Sequence, residues 1–268
     1  MPSENLVFTD VDGTLCFHED QHGVQKIRDT KPGEEGDALV QAAPYTREVQ
    51  ALDISTSLYR VYLDVATQAR ARILSTTAPI ILVTGARPST MEARLQAFDF
   101  QAGFILENGA GIYNKSLQKD LDWDVHLAPQ KALLAPVQKA LEARGLKLDV
   151  KGRTSMIRIR HKDNPHLDED EFSGLYATLE LPKGLKKTKN LGNIDIILES
   201  AGKGEAIKYL LAQQDRTSHT FGIGDDINDL ELLEAVDEAF VLGSAYSEAL
   251  KLARENTCTF QKAITLMA

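Results

Sequence analysis

Five short apolar runs, each halted at once by polar or glycine-bearing sequence, constrain the fold of this chain more than any other feature. They occupy residues 6–8, 80–83, 104–106, 221–223 and 240–242. Runs this short and this apolar mark strands buried on both faces, as in a parallel sheet. Helical periods lie between several of them. Residues 58–74 carry apolar side chains near i, i+3, i+4 and i+7, and 90–98 and 205–211 are shorter examples. Strand, loop, helix, strand in alternation predicts an α/β fold: a doubly wound, Rossmann-like parallel sheet with helices on both faces. In such sheets ligands bind at the carboxyl ends of the strands. The polar residues that trail the runs are therefore expected to share one rim.

Two stretches break the alternation. Residues 17–45 are polar, charged and glycine-bearing, too poor in apolar residues for a core element, and read as a mobile excursion or a hairpin flap. Residues 117–198 carry elements of their own: helical periods at 129–144 and 168–179, an alternating strand at 156–160 and a second strand at 194–198. The expectation is a smaller α+β cap domain, residues 117–198, inserted into a core made of 1–116 and 199–268.

The bulk chemistry narrows the partners. A net charge of −9 argues against nucleic acid or an anionic membrane, both of which need a clustered basic surface. No apolar run approaches the roughly 18 residues that a membrane span requires, and the N-terminus lacks the pattern of a signal peptide. Cys16 and Cys258 have no motif spacing and give neither a disulfide framework nor a zinc site. A reducing, cytoplasmic location is expected.

The rims hold the chemistry. "TDVDGT" places Asp10, Asp12, Gly13 and Thr14 after the first run. "VTGARP" places Thr84, Gly85 and Arg87 after the second, and "ENGAG" places Glu107, Asn108 and Gly109 after the third. Lys203 precedes a helical period, and "GDDIND" supplies Asp225, Asp226, Asn228 and Asp229. Several carboxylates at one point repel unless a cation lies between them, and hard oxygen ligands suit magnesium. A hydroxyl, a lysine and an arginine beside that metal suit a phosphoryl group. A carboxylate can attack phosphorus, and a second one can exchange protons with leaving group and water. Residues i and i+2 of an extended chain project to the same side, so Asp10 and Asp12 can address one substrate.

Four of these, "DVDGT", "VTG", Lys203 and "GDDIND", in this order from Asp10 to Asp229, closely resemble the motifs of the haloacid dehalogenase superfamily of phosphohydrolases. "ENGAG" and the large insertion before Lys203 resemble the subgroup with an α/β cap between the second and third motifs, which includes Cof-type and sugar-phosphate phosphatases. The resemblance implies a role for each residue. Asp10 would be the nucleophile and a metal ligand. Asp12 would be the general acid/base, with its backbone carbonyl on the metal. Thr84, Gly85, Lys203, Asn108 and Asn228 would face the phosphoryl group or substrate. Asp225 would ligate Mg2+ directly, and Asp229 would support it through water or by positioning Lys203. Many relatives have arginine directly after the threonine–glycine pair. Here Ala86 intervenes, so Arg87 is expected either to take that place or to face the cap. A small phosphorylated metabolite is the expected partner.

Other readings fit less well. A calcium loop needs ligands at positions one, three and five before glycine at six, but Gly13 follows Asp12 directly. "GIGDDI" opens like a dinucleotide fingerprint, but its aspartates would repel a pyrophosphate. A phosphomutase would use the same core motifs, and a silent sugar-phosphate-binding module would have no need of a nucleophile. In the cap, Arg153, Arg158, Arg160, Lys186, Lys187 and Lys189 read individually as a solvated face. Arg158 and Arg160 are the leading candidates there for substrate selection. Trp123 reads as a packing residue.

Overall fold

The computed structural model describes residues 5–18, 25–26, 37–42, 45–51, 61–190, 192–214, 218–225, 227–242 and 257–258. In chain order the elements begin β1 (Leu6–Asp10), β2 (Cys16–His18), β3 (Gln25–Lys26), β4 (Asp37–Ala42), β5 (Tyr45–Ala51), β6 (Val61–Asp64), α1 (Val65–Leu74), β7 (Ile80–Val83), α2 (Pro88–Glu92), β8 (Gly103–Leu106) and β9 (Gly111–Asn114). There follow α3 (Leu121–Lys131), α4 (Leu134–Ala143), β10 (Leu148–Asp149), β11 (Met156–Ile159), α5 (Glu169–Thr178), β12 (Leu185–Asn190) and β13 (Asn193–Leu198). The chain closes with α6 (Lys203–Ala212), β14 (Thr220–Gly224), α7 (Leu230–Glu234), β15 (Glu238–Leu242) and β16 (Thr257–Cys258).

All five apolar runs lie in one sheet, ordered β16-β15-β14-β1-β7-β8-β9. Its pairings are parallel except for the β8–β9 hairpin at the edge. Alternate residues of each strand feed opposite faces, as the two-residue period of a strand dictates. Leu6, Phe8, Val83 and Ile105 join Ala206, Ile207, Leu232 and Leu233 from α6 and α7 on one face. Val7, Ile80, Leu82 and Phe104 join Ala71, Leu74, Met91 and Phe98 on the other. This is the doubly wound arrangement that the alternation predicts.

The 117–198 segment forms an antiparallel sheet, β10-β11-β13-β12. Its strands pack their apolar faces (Ile157, Ile159, Ile194, Ile196) with Leu134 and Leu141 of α4 and Phe172 and Leu175 of α5. These residues are continuous with the α6–α7 face of the main sheet in one apolar cluster. Asp168 caps α5 by accepting from the Glu171 amide at 2.8 Å, and Glu171 accepts from the Asp168 amide at 3.0 Å. That reciprocal pair fixes where the helix begins.

Several local readings are corrected. The described part of the helical period at 58–74, residues 61–74, covers two elements, strand β6 and helix α1. The period at 90–98 covers the end of α2 and a 3-10 turn, Leu95–Phe98. The one at 129–144 spans the end of α3 and all of α4. The 17–45 excursion contributes strands to a further antiparallel sheet, β2-β6-β5-β4-β3, in which β4 and β5 form a hairpin. Its described residues contribute to β2, β3, β4 and the first position of β5, strands of this sheet; the rest of the excursion lies outside the described residues. No helix among the described residues is long and apolar enough to cross a membrane.

Candidate active site

The end of β1 runs into a tight turn in which the amides of Leu15 and Cys16 both donate to the Val11 carbonyl, at 2.8 and 2.7 Å. Gly13 sits in it at φ +102°, and a Cβ there would lie 2.0 Å from Asp225 Oδ2. Only glycine meets both conditions. Parallel pairing of β1 with β14 sets their ends side by side, and this turn lets the acidic residues of the first and last motifs meet.

One carboxylate oxygen from each of Asp10, Asp225 and Asp229 lies within 4.8 Å of the others. Lys203, at the first turn of α6, is buried between two of them and donates to Asp10 Oδ1 at 2.7 Å and Asp229 Oδ1 at 2.5 Å. The Asp225 amide donates to Asp229 Oδ2 at 3.0 Å, and Thr14 Oγ1 donates to Asp225 Oδ1 at 3.3 Å. Burial, reinforced by Asp229 and Asp225, pushes the Asp10 carboxyl well above the ordinary range although Lys203 pulls the other way. Burial also opposes the Lys203 ammonium, but Asp10 and Asp229 outweigh it and hold its pKa above the usual lysine value. Three carboxylates around one lysine leave negative charge in excess, and all their donors are hard oxygens. Such a set fits a divalent cation.

Asp12 belongs to a neighbouring group. Thr84 Oγ1, just past β7, donates to its Oδ2 at 3.1 Å, and Arg94 Nη1 donates to its Oδ1 at 2.8 Å. The Thr84 hydroxyl is itself oriented by the Ala86 amide, which donates to it at 3.0 Å. Arg94 was not among the residues singled out from sequence. It lies beyond α2 in a stretch that reads as a helical period, where an arginine ordinarily faces solvent, but its side chain is 4% exposed. Burial disfavours its charge, yet Asp12 more than compensates and its pKa is raised.

A polar seam joins the same loops to the 117–198 segment. Arg87 donates to both oxygens of Asp149, at 3.0 and 3.1 Å, and to the Lys151 carbonyl. Of the two alternatives for Arg87, these contacts correspond to the cap-facing one. Arg153 donates to the Gly85 carbonyl at 3.1 Å and to Asp149 at 3.3 Å, with its side chain 3% exposed. The solvated-face reading of Arg153 is therefore corrected. Glu107 accepts from the Thr154 amide and hydroxyl at 3.0 and 2.9 Å, and burial raises its pKa. Asn108 donates to Asp195 at 2.9 Å rather than to the Asp10 cluster. Glu107 and Asn108 both adopt left-handed backbone, φ +52° and +54°. Arg158 grips the same Asp195 at 2.6 and 2.7 Å, directly across the β11–β13 pair, and Arg160 bonds Asp163 at 2.5 Å. Both guanidinium groups proposed for substrate selection are thus engaged within the segment.

Lys186 reaches back to Glu231, beside the last motif. Asn228 is half-buried in the 3-10 turn Ile227–Asp229, and Asp226 lies outside the described residues. Trp123 packs as expected, 4.7 Å from the Tyr209 ring, and its indole donates to the Gly109 carbonyl at 3.0 Å.

Comparison with known proteins bears on the fold. Residues 186–262 match the family model of haloacid dehalogenase-like hydrolases. A search of curated protein sequences finds no match. Among solved structures, a putative HAD/COF-like hydrolase from Plasmodium vivax aligns with a TM-score of 0.65 at 11% identity, covering 99% of this chain and 96% of that one. The HAD subclass IIB sugar phosphatase BT4131 aligns at 0.57 and 13% identity, covering 98% and 97%. The sucrose-phosphatase from Synechocystis sp. PCC6803, solved with sucrose and phosphate, aligns at 0.56 and 16% identity, covering 94% and 88%.

Proposed function

We propose that this chain, whose residues 186–262 match the haloacid dehalogenase-like hydrolase model and whose fold is shared by sugar phosphatases, is a magnesium-dependent phosphatase of small phosphomonoesters. The observation that carries the reading is Lys203 held between Asp10 and Asp229, with Asp225 completing the acidic group. A buried carboxylate next to a lysine and two further carboxylates is costly to maintain without a ligand that draws on all of them.

Asp10 is the nucleophile. One of its oxygens attacks phosphorus, the bond from phosphorus to the leaving oxygen breaks, and an aspartyl-phosphate forms. Asp12 protonates the leaving oxygen, then takes a proton from the water that hydrolyses the aspartyl-phosphate. Thr84 orients Asp12 and faces the phosphoryl oxygens, and Lys203 offsets their charge while fixing Asp10. A magnesium ion held by Asp10, Asp225 and Asp229, with the Asp12 backbone carbonyl, would neutralise charge building on the phosphoryl oxygens. Residues 117–198 act as the cap over the core made of 1–116 and 199–268. The cap excludes bulk water and selects the leaving group.

A sugar phosphate or related polar metabolite is the substrate class we assign, supported by the sugar phosphatases that share the fold. The test is phosphate release from a panel of phosphorylated metabolites by the purified protein with magnesium. Turnover should stop in excess chelator and in Asp10→Asn. Full activity under either condition overturns the reading.

A further inference from the structure

We infer that Arg94 is the positioning residue for Asp12, fixing the carboxylate that exchanges protons with leaving group and water; this rests on the phosphatase reading above. Both oxygens of Asp12 have a donor from a different part of the core. Thr84, at the end of β7, takes Oδ2, and Arg94, beyond α2, takes Oδ1 at 2.8 Å. The two donors pin the carboxylate plane from two directions, and neither side chain shares the turn that carries Asp12.

Stability alone does not explain this arginine. Its side chain is 4% exposed, and its Nε is buried with no hydrogen-bond partner. Replacing such a buried pair by apolar side chains is often neutral or stabilising, so the pair is poor evidence of a structural need. The neighbours Met91 and Phe98 already supply apolar packing to this face of the sheet. What the guanidinium supplies, and an apolar side chain would not, is a directed donor to one oxygen. Asp12 requires one because its own side chain is 19% exposed and lies two residues past the end of β1, so packing does not immobilise it. Proton transfer demands hydrogen-bond reach, and a small misplacement of a reacting group is enough to slow it strongly.

The chemistry separates positioning from structural support. With p-nitrophenyl phosphate the bond from phosphorus to the phenolate oxygen breaks as the bond from Asp10 to phosphorus forms, and the phenolate leaves without a proton. Hydrolysis of the aspartyl-phosphate still needs Asp12 to take a proton from water. Arg94→Met should therefore give a burst of about one equivalent of p-nitrophenolate per chain, followed by a steady state slowed about tenfold or more. Arg94→Lys, which keeps a charged donor, should recover part of the steady-state rate. A burst that shrinks in proportion to the steady-state rate would mean fewer folded sites, and overturns the inference. So does a steady-state rate within about twofold of wild type. If Arg94→Met does not fold, Arg94→Leu, which likewise removes the donor, is judged by the same two criteria. Wild-type protein with no metal-dependent turnover of any phosphomonoester overturns the phosphatase reading itself, and this inference with it.

Discussion

Replacing Asp10 by asparagine should stabilise the protein in chelator and destabilise it, relative to wild type, in magnesium. Asp10 lies within 4.8 Å of one oxygen each of Asp225 and Asp229. At an effective dielectric of about 20 each repulsion is about 3.5 kcal/mol, together about 7. The Lys203 ammonium at 2.7 Å returns about 6 kcal/mol on the same scale. The charge terms nearly cancel, so burial decides, and burial disfavours the ionised form. Asparagine keeps the shape and removes the charge, for an expected gain of about 1–3 kcal/mol in chelator. For a chain of 268 residues the melting entropy is about 0.6 kcal/mol per kelvin, so the variant should melt about 2–5 °C higher. Magnesium at about a thousand times its Kd should then add about 4.1 kcal/mol to wild type and much less to the variant, reversing the order. The pH dependence has a definite sign. A carboxyl raised in the fold keeps its full contribution below its unfolded value and loses it as pH rises through the folded value. In chelator the gap between variant and wild type should therefore be small near pH 4 and widen toward pH 8. Differential scanning calorimetry in chelator and in magnesium at both pH values reads all of this. Wild type melting above Asp10→Asn in chelator at pH 8, or equal magnesium shifts in both proteins, would refute the reasoning.

Two further outcomes follow from other parts of the molecule. Asp195 is fully buried and accepts from both Arg158 and Asn108, so Asp195→Ala strands a nearly buried guanidinium. It should destabilise by about 3–5 kcal/mol, lowering Tm by about 5–9 °C, and a drop under about 1 °C would show the pair to be slack. The Cys16 thiol is buried and pushed up to about 12, so at pH 8 it is protonated as well as covered. Iodoacetamide should leave the Cys16 peptide unmodified in native protein and alkylate it in denaturant, as peptide mass mapping will read.

The parts of this fold that can be read in the chain are those whose signal is local. Strands buried on both faces must be nearly continuous in apolar residues, so β1, β7, β8, β14 and β15 stand out unaided. The carboxyl ends of those strands then place Asp10, Thr84 and Asp225 on one rim. The 58–74 stretch misleads because a four-residue strand and the first turn of a helix place apolar residues at overlapping intervals. β12 escapes notice because "LKKTKN" is an edge strand, where lysines are favoured and the apolar signal is weak. Arg87 and Arg94 illustrate the remaining limit. Each is an arginine flanking the short helix α2 after the same motif. Their different fates are set by partners far along the chain, Asp149 for one and Asp12 for the other, which no periodicity encodes. Glu107 and Asn108 likewise look like an ordinary polar rim until their left-handed backbone turns them onto Thr154 and Asp195.

Two glycines define how far this site can be redesigned. At Gly13 the space a methyl would need is taken by Asp225, and at Gly109, φ +97°, by the Gly202 carbonyl 2.1 Å away. In a saturation library both positions would return almost nothing but the parent codon, because both need a positive φ that L residues rarely adopt, and at Gly109 the clash is with backbone that no rotamer choice can relieve. Diversity introduced to alter substrate range is therefore best spent away from the floor of the site, on the strands and loops of 117–198 that face it.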